Sequence, residues 1–305
     1  MNKIKIAVGG IHFPLSMMSY FIRALKRRDD VDLWTFGPFT GSWTPWMYGM
    51  RMDEKYVVAP DLPLSRNLIN KLIPSDVINA QMPWIPDLTL FIDAGWHTSN
   101  RPKGNIVALV ETDPHVLRPI YVLPKSYSDI SFCMQQNYME GDEKYLPYAY
   151  DPTVHFHENL PIINDGCLIG LQYPQRNQLV ELLRKAGMKI HYSTGEIFDE
   201  YRKIYCSSKI ALNWSTLQDM PARFWEALGM GLPLVSNNVP DIKNFFVEGV
   251  DYLGFDNLQQ AGQQFIRLIS DPLSAEIIAN SGHKKVLGHT YDERISQVLK
   301  EVKLL

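Results

Sequence analysis

Cysteine is scarce: Cys133, Cys167 and Cys206 are the only three in 305 residues, widely spaced and odd in number. They form no Cys-x-x-Cys pair, so neither a disulfide framework nor a thiolate metal site is expected. They read as reduced, mostly buried thiols of a cytoplasmic protein. No apolar run reaches the length that spans a bilayer. Met1-Asn2-Lys3 leads directly into a strand pattern, without the regions of a secretory signal. Neither sign of charge dominates. Lys and Arg number 30 against 33 Asp and Glu, a formal net charge of −3, so nothing points to nucleic acid held by bulk electrostatics. The Gly-x-Gly-x-x-Gly fingerprint is missing, which argues against a dinucleotide cofactor. His155 and His157 have metal-like spacing but no further Cys or His nearby, and no metal is expected.

What is present is an α/β rhythm. A chain of 305 residues exceeds the usual single-domain size, and 46% hydrophobic with 21% charged residues is ordinary for a globular protein. Strands are expected over 3–8, 31–36, 88–92, 106–110 and 129–134, with a helical pattern running on to Arg28 after Gly9-Gly10. The proline-rich piece 59–86 is expected to hold one helix, around 66–72. Periodicity then lapses around Pro147 and Pro152, as in a linker. The second half alternates again: strands 167–171, 189–192, 210–213 and 232–235, helices 178–186, 197–206, 257–270 and 275–286, and a last helix running to about 299. Such alternation means parallel strands joined by helical crossovers, with ligands beyond the carboxyl strand ends.

The candidate residues cluster at those ends. Gly9-Gly10 lets backbone approach a ligand closely, and Asp93, Asp113 and His115 follow later strands. A histidine there donates to a hydroxyl, exchanges protons near neutral pH, or caps the following turn. The glycine- and aromatic-rich loop 37–50 reads either as a sugar-stacking wall or as a loop anchored by its aromatics. In the second half the turn from Gly170 to Arg176, with Tyr173, precedes a helix start. Free N–H groups and the helix dipole attract phosphate there, and an arginine adds a bidentate cation. A solvated helix-start arginine is the plainer reading.

The stretch from Pro221 to Asn238 is the most legible. Phe224, Ala227 and Leu228 share one face of a short helix, Gly229 and Gly231 stop it, and an apolar strand follows. Arg223 and Glu226, three residues apart, lie on one side. Such pairs are usually exposed ion pairs, yet this one sits among Phe, Trp, Ala and Leu.

The run Arg223-Phe224-Trp225-Glu226-Ala227-Leu228-Gly229-Met230-Gly231-Leu232-Pro233-Leu234-Val235-Ser236-Asn237 resembles the donor-binding segment of GT-B nucleotide-sugar glycosyltransferases. It is nearest to the group 1 and CgeB-like members. The resemblance is fullest over 165–300. It extends to Asp113-Pro114-His115-Val116-Leu117 with Tyr121, and to a hinge-like segment, 145–156. It implies two Rossmann-like doubly wound domains facing each other across a cleft, with a C-terminal helix crossing back to the first. The expected division is 1–150 with 288–305 on the acceptor side, and 151–287 on the donor side. In that family the glutamate matching Glu226 grips the ribose hydroxyls, a diol well suited to charge-assisted bonds with a carboxylate.

Arg176, Arg223, Tyr173 and the turn at Asn237 are then expected at the donor diphosphate, Gly10 near the cleft, and Asp113 with His115 at the chemistry. The implied reaction moves a sugar from a nucleotide-diphosphate sugar without metal or cofactor, with retention at the anomeric carbon. Many relatives carry a second glutamate eight positions earlier; here that position is Gln218. Glycan, lipid, protein or a modified nucleobase all remain open as acceptors. An epimerase and a non-catalytic nucleotide-sugar-binding protein are the alternatives.

Overall fold

The computed structural model describes residues 3–45, 50–93 and 95–305. Met1, Asn2, Ala94 and the aromatic-loop residues Trp46, Met47, Tyr48 and Gly49 lie outside the described residues. The chain divides into two compact units, Met1–Pro147 with Tyr291–Leu305, and Tyr148–Thr290.

The first unit is built on strands β1 (Ile4–Gly9), β2 (Val31–Phe39), β3 (Leu62–Ser65), β4 (Leu88–Ile92), β5 (Ile106–Glu111), β6 (Ile130–Cys133) and β7 (Lys144–Tyr145). They form one parallel sheet in the order β3-β2-β1-β4-β5-β6-β7. The chain starts at β1, builds outward through β2 and β3, and returns to the other side of β1 with β4, so the order reverses between β1 and β4. Apolar runs such as Ile6-Ala7-Val8 suit a strand covered on both faces, and all three are fully buried. Helices α1 (Met17–Lys26), α2 (Asp76–Asn79) and α3 (Pro114–Tyr127) belong to this unit. On one side of the sheet Phe36 packs edge-on against Phe91 and Trp96, with centroids 5.9 and 6.1 Å apart.

The second unit holds β8 (Asn164–Ile169), α4 (Pro174–Lys185), β9 (Ile190–Ser193), α5 (Phe198–Cys206), β10 (Ser208–Asn213), α6 (Ala222–Gly229), β11 (Leu234–Asn237), β12 (Leu253–Phe255), α7 (Leu258–Ser270) and α8 (Pro272–Val286). Its sheet is also parallel, in the order β12-β11-β10-β8-β9. Here the order reverses between β8 and β10. The C-terminal helix α9 (Tyr291–Glu301) returns to the first unit. Tyr291 stacks on Tyr20 at 5.2 Å, and Arg27 on α1 pairs with Asp292. Two ties hold the crossing segments. Within the second unit Tyr150 bridges Thr290 and its N–H donates to the His289 carbonyl; within the first, Arg294 Nε donates to the Pro147 carbonyl at 2.7 Å.

Several expectations shift. Residues 66–72 are not a helix: Arg66–Leu68 makes a single 3₁₀ turn, and Asn70 is left-handed at φ +62°, a conformation a right-handed helix does not contain. The α-helix of the proline-rich piece is α2, Asp76–Asn79, and the piece also supplies β3, an edge strand where Pro63 does no harm. The strand expected over 232–235 begins at Leu234, because Gly231 is left-handed, φ +74°, and Pro233 has no N–H to give to the ladder. The helix expected from 178 begins at Pro174, which brings Arg176 into its first turn. Among the described residues no helix is long and apolar enough to cross a membrane, and the three cysteines are unpaired with one another and buried.

Candidate functional site

The topological reversal of the second unit places the ends of β8 and β10 side by side, and two arginines close that gap. Arg176 donates from Nε to the Trp214 carbonyl just past β10 and from Nη1 to the Leu171 carbonyl just past β8, both at 2.8 Å. Arg223 donates from Nε to Asn213 Oδ1 at 3.1 Å and from Nη1 to the Ile169 carbonyl at 2.7 Å. Asn213 is held in turn by donating from Nδ2 to Ser236 Oγ, 2.8 Å, so β8, β10 and β11 all help to place one guanidinium.

Gly170 lies between the two arginines with φ +152°; a β-carbon there would sit 2.5 Å from Arg223 Nη1 and 3.2 Å from Arg176 Nη1. Only glycine leaves room for both. Among the described residues no carboxylate lies within ion-pair distance of either guanidinium, and Nη2 of each has no hydrogen-bond partner. Burial, then the neighbouring Arg223 charge, pull the Arg176 pKa down to about 10. Arg176 also lies 5.0 Å over the Tyr173 ring, at the uncapped start of α4. The result is a concentration of positive charge, with helix amides beside it, suited to an anion.

Glu226 follows Arg223 by one helical turn on α6 and is only 7% exposed. Arg223 does not neutralise it, being engaged by Asn213 and the Ile169 carbonyl. The Glu226 carboxylate has His155 Nε2 at 3.7 Å from Oε1, and among the described residues no donor hydrogen-bonds to it. Tyr201 packs behind. Its hydroxyl is pushed well above the ordinary tyrosine range, first by burial and then by the Glu226 charge, so it stays protonated. Asn237 sits in the same unit in another capacity. Its side chain is consumed by a two-way bond to Ser215, accepting from N at 2.7 Å and donating to O at 2.9 Å, which pins the loop that follows β10. Gln218 lies in that loop, exposed and left-handed at φ +58°.

The first unit treats its strand ends differently. Asp113 opens α3 as its N-cap residue, and His115 follows in the first turn, half-buried with its ring 5.3 Å from that of Tyr138. Thr112 Oγ1 donates to Asp93 Oδ1 at 2.7 Å and lies 3.2 Å from Asp113 Oδ2. The Tyr121 hydroxyl accepts from the backbone N–H groups of Thr112 and Asp113. Gly10 does not belong to an open face. It is buried, and a β-carbon on it would lie 2.9 Å from both the Ile92 carbonyl oxygen and Met18 Sδ, while a β-carbon on Gly37 would collide with the Gly10 carbonyl oxygen, so close packing requires glycine at both positions.

The sequence gives no sign of two other features there. Glu111, fully buried, meets Arg118 Nη1 at 2.7 Å and Lys125 at 3.5 Å, and Glu143 shares both cations. His12 is buried with Nε2 3.1 Å from the Phe36 carbonyl, and its pKa falls to about 4, chiefly through burial. Beside β4 a recess of about 220 Å³ is lined by Asn70, Leu72, Gly95, Trp96, His97 and Ile120, among others. Among the described residues no group of three His, Cys, Asp or Glu is placed to hold a metal.

Residues 160–300 match a family described as glycosyl transferase-like. No curated protein matches the sequence. An alpha-glucosyltransferase in complex with UDP-glucose and DNA containing an abasic site is similar over 99% of this chain and 100% of its own, with TM-score 0.68 and 10% identity. HepE from Anabaena, in complex with UDP and glucose, is similar over 98% and 100%, with TM-score 0.63 and 11% identity. A UDP-N-acetylglucosamine 2-epimerase is similar over 100% and 98%, with TM-score 0.59 and 11% identity. The fold is therefore that of the GT-B glycosyltransferases: two parallel-sheet α/β units, with the glycosyl transferase-like segment covering most of the second and running on into α9.

Proposed function

We propose that this protein transfers a glycosyl group from a nucleoside diphosphate sugar to an acceptor hydroxyl, with the second unit as the donor-binding side. One observation carries the reading. At the strand-order reversal of that unit, two guanidinium groups and a carboxylate lie on and beside one short helix, α6, and among the described residues the guanidinium groups have no carboxylate partner and the carboxylate has no hydrogen-bond donor. Unneutralised buried charge of both signs costs stability, and a ligand bearing both a phosphate and a diol relieves it. Glu226 accepts from the ribose hydroxyls. Arg176 and Arg223, through their Nη2 groups, and the amides that open α4 take the diphosphate, with Tyr173 alongside. Asn237 holds the neighbouring loop in place.

Rate acceleration in this scheme comes from positioning and from stabilising the departing diphosphate with fixed cations. The transfer runs without a metal ion and retains the anomeric configuration, the course implied by relatives of the Glu226 segment, the CgeB-like group among them. In the first unit, Asp113 and His115 handle the acceptor hydroxyl. The neighbours seen with UDP make uracil the first base to try. A thermal-shift screen of nucleoside diphosphates and their sugars, followed by incubation of the best donor with candidate acceptors, tests the reading. A donor stabilises the chain by mass action and is consumed with release of its diphosphate. A chain that no nucleoside diphosphate stabilises refutes the proposal. The similarity to a 2-epimerase supports one rival, which predicts interconversion of sugars on the nucleotide with no acceptor present.

A further inference from the structure

We propose that His155 is a positioning residue for the Glu226 carboxylate, fixing it for the ribose diol; the inference rests on the donor-site reading above. In the sequence His155 is an incidental residue of a linker. In the fold it is 1% exposed and faces α6. Residues 151–155 form a tight turn: the Asp151 carbonyl accepts from Val154 N at 3.0 Å and from His155 N at 2.7 Å. Asp151 Oδ1 accepts from both Thr153 N and Thr153 Oγ1. The same turn sets the histidine tautomer, because the Asp151 backbone N–H donates to His155 Nδ1 at 3.1 Å.

A ring nitrogen that accepts a hydrogen bond carries no proton, so the neutral imidazole bears its proton on Nε2. Nε2 is the atom that faces Glu226 Oε1 at 3.7 Å. That separation is too long for a hydrogen bond and well within Coulombic reach. An N–H dipole of fixed direction therefore meets the carboxylate from the protein interior. The Tyr201 ring, edge-on to His155 with centroids 5.9 Å apart, limits rotation of the imidazole. Side chains that orient a ligand-binding group in this way are often as important as the group itself.

The turn and the carboxylate use different ring atoms, which allows the two roles to be separated. In His155→Asn the side-chain amide occupies the Nδ1 position and caps Asp151 N–H, but nothing stands at Nε2. In His155→Gln the amide nitrogen reaches the Nε2 position and keeps a donor there. Calorimetry on the full chain compares UDP with 2′,3′-dideoxyuridine diphosphate, which lacks the diol. The wild type is expected to prefer UDP. His155→Asn is expected to lose about tenfold of that preference, the scale of one bond to a charged group, with dideoxy affinity and melting temperature unchanged. His155→Gln is expected to retain the preference.

A His155→Asn variant with undiminished preference overturns the proposal. So does a parallel loss for both ligands with a lowered melting temperature, which marks a structural residue. A wild type that ignores the diol instead refutes the Glu226 assignment, and with it the partner that His155 is proposed to serve. Should His155→Asn not fold, the ring-nitrogen NMR spectrum of the wild type decides. An Nε2–H tautomer whose signals shift on adding UDP is expected, and an Nδ1–H tautomer, or signals indifferent to UDP, overturns the proposal.

Discussion

In the first unit, Glu111 at the end of β5 meets Arg118, Lys125 and Glu143, so two acids and two bases neutralise one another. In the second, among the described residues, Arg176 and Arg223 at the ends of β8 and β10 hydrogen-bond only to carbonyls and an amide, and the one ionisable group within ion-pair distance of Glu226 is the His155 imidazole. Both units have the same doubly wound plan, with the strand order reversing beside the first strand of each. The difference lies in what completes the electrostatics at these strand ends. In one case it is the chain itself; in the other, on the proposed reading, it is left to a ligand. Charge that folding does not neutralise is therefore the more useful mark of a site than charge as such.

The comparison predicts opposite outcomes for similar substitutions. Arg118→Met removes one member of a network whose carboxylates are fully buried, and it should cost about 3–5 kcal/mol of folding stability. Chemical denaturation measures that loss, and UDP affinity should be unchanged. Glu226→Ala should do the reverse, losing roughly 2–4 kcal/mol of donor binding while the denaturation midpoint holds. Unchanged UDP affinity by calorimetry would remove Glu226 from the site.

Arg176→Gln and Arg223→Gln should each cost about 1.5–3 kcal/mol of UDP binding, the value of a bond between charged groups. Uridine binding should scarcely move, and equal losses for the two ligands would make both arginines structural. An effect spread over several pH units concerns His12, whose pKa is about 4 in the fold against 6.5 in the unfolded chain. Its contribution is complete above pH 6.5. As pH falls towards 4 the unfolded chain binds a proton that the native state refuses, and stability falls by up to about 1.4 kcal/mol per pH unit. Glu111 works against this trend. Burial first, then the Glu143 charge, raise its pKa to about 7, so acidification between its ordinary range and 7 favours the fold. The slope difference between wild type and His12→Gln isolates the histidine; identical slopes would show that His12 titrates normally.

The fold was legible where the signal was local and repeated. Ile6-Ala7-Val8 and Leu88–Ile92 declare buried strands by composition, and Phe224, Ala227 and Leu228 declare a helix face. Short or proline-bearing elements were not. β3 has four residues including Pro63, and α3 runs fourteen residues through Pro119 and Pro124, because tertiary packing outweighs the local penalty. The arginines and Glu226 stand out by residue type near strand ends. Their partners do not, since those are mostly backbone carbonyls, which every residue carries. His155 was hidden for a different reason: its neighbour in space is 71 positions away, and nothing in a linker announces such a meeting. At Gly10 the sequence leaves two readings open, since adjacent glycines after a first strand serve close packing as readily as ligand approach, and the fold shows the packing.

The two ties at the crossing segments have a consequence for how the gene can be cut. Tyr150 and Thr290 are bridged, and on the other side Arg294 clasps Pro147, so each unit holds its own severed ends together. In chain connectivity this is a host with a guest inserted into it, and adjacent guest termini are what make such insertions transferable. The segment Tyr148–Thr290 is thus a cassette. Arg176, Arg223, Glu226 and His155 all fall inside that one inserted block, whereas Asp113 and His115 belong to the host.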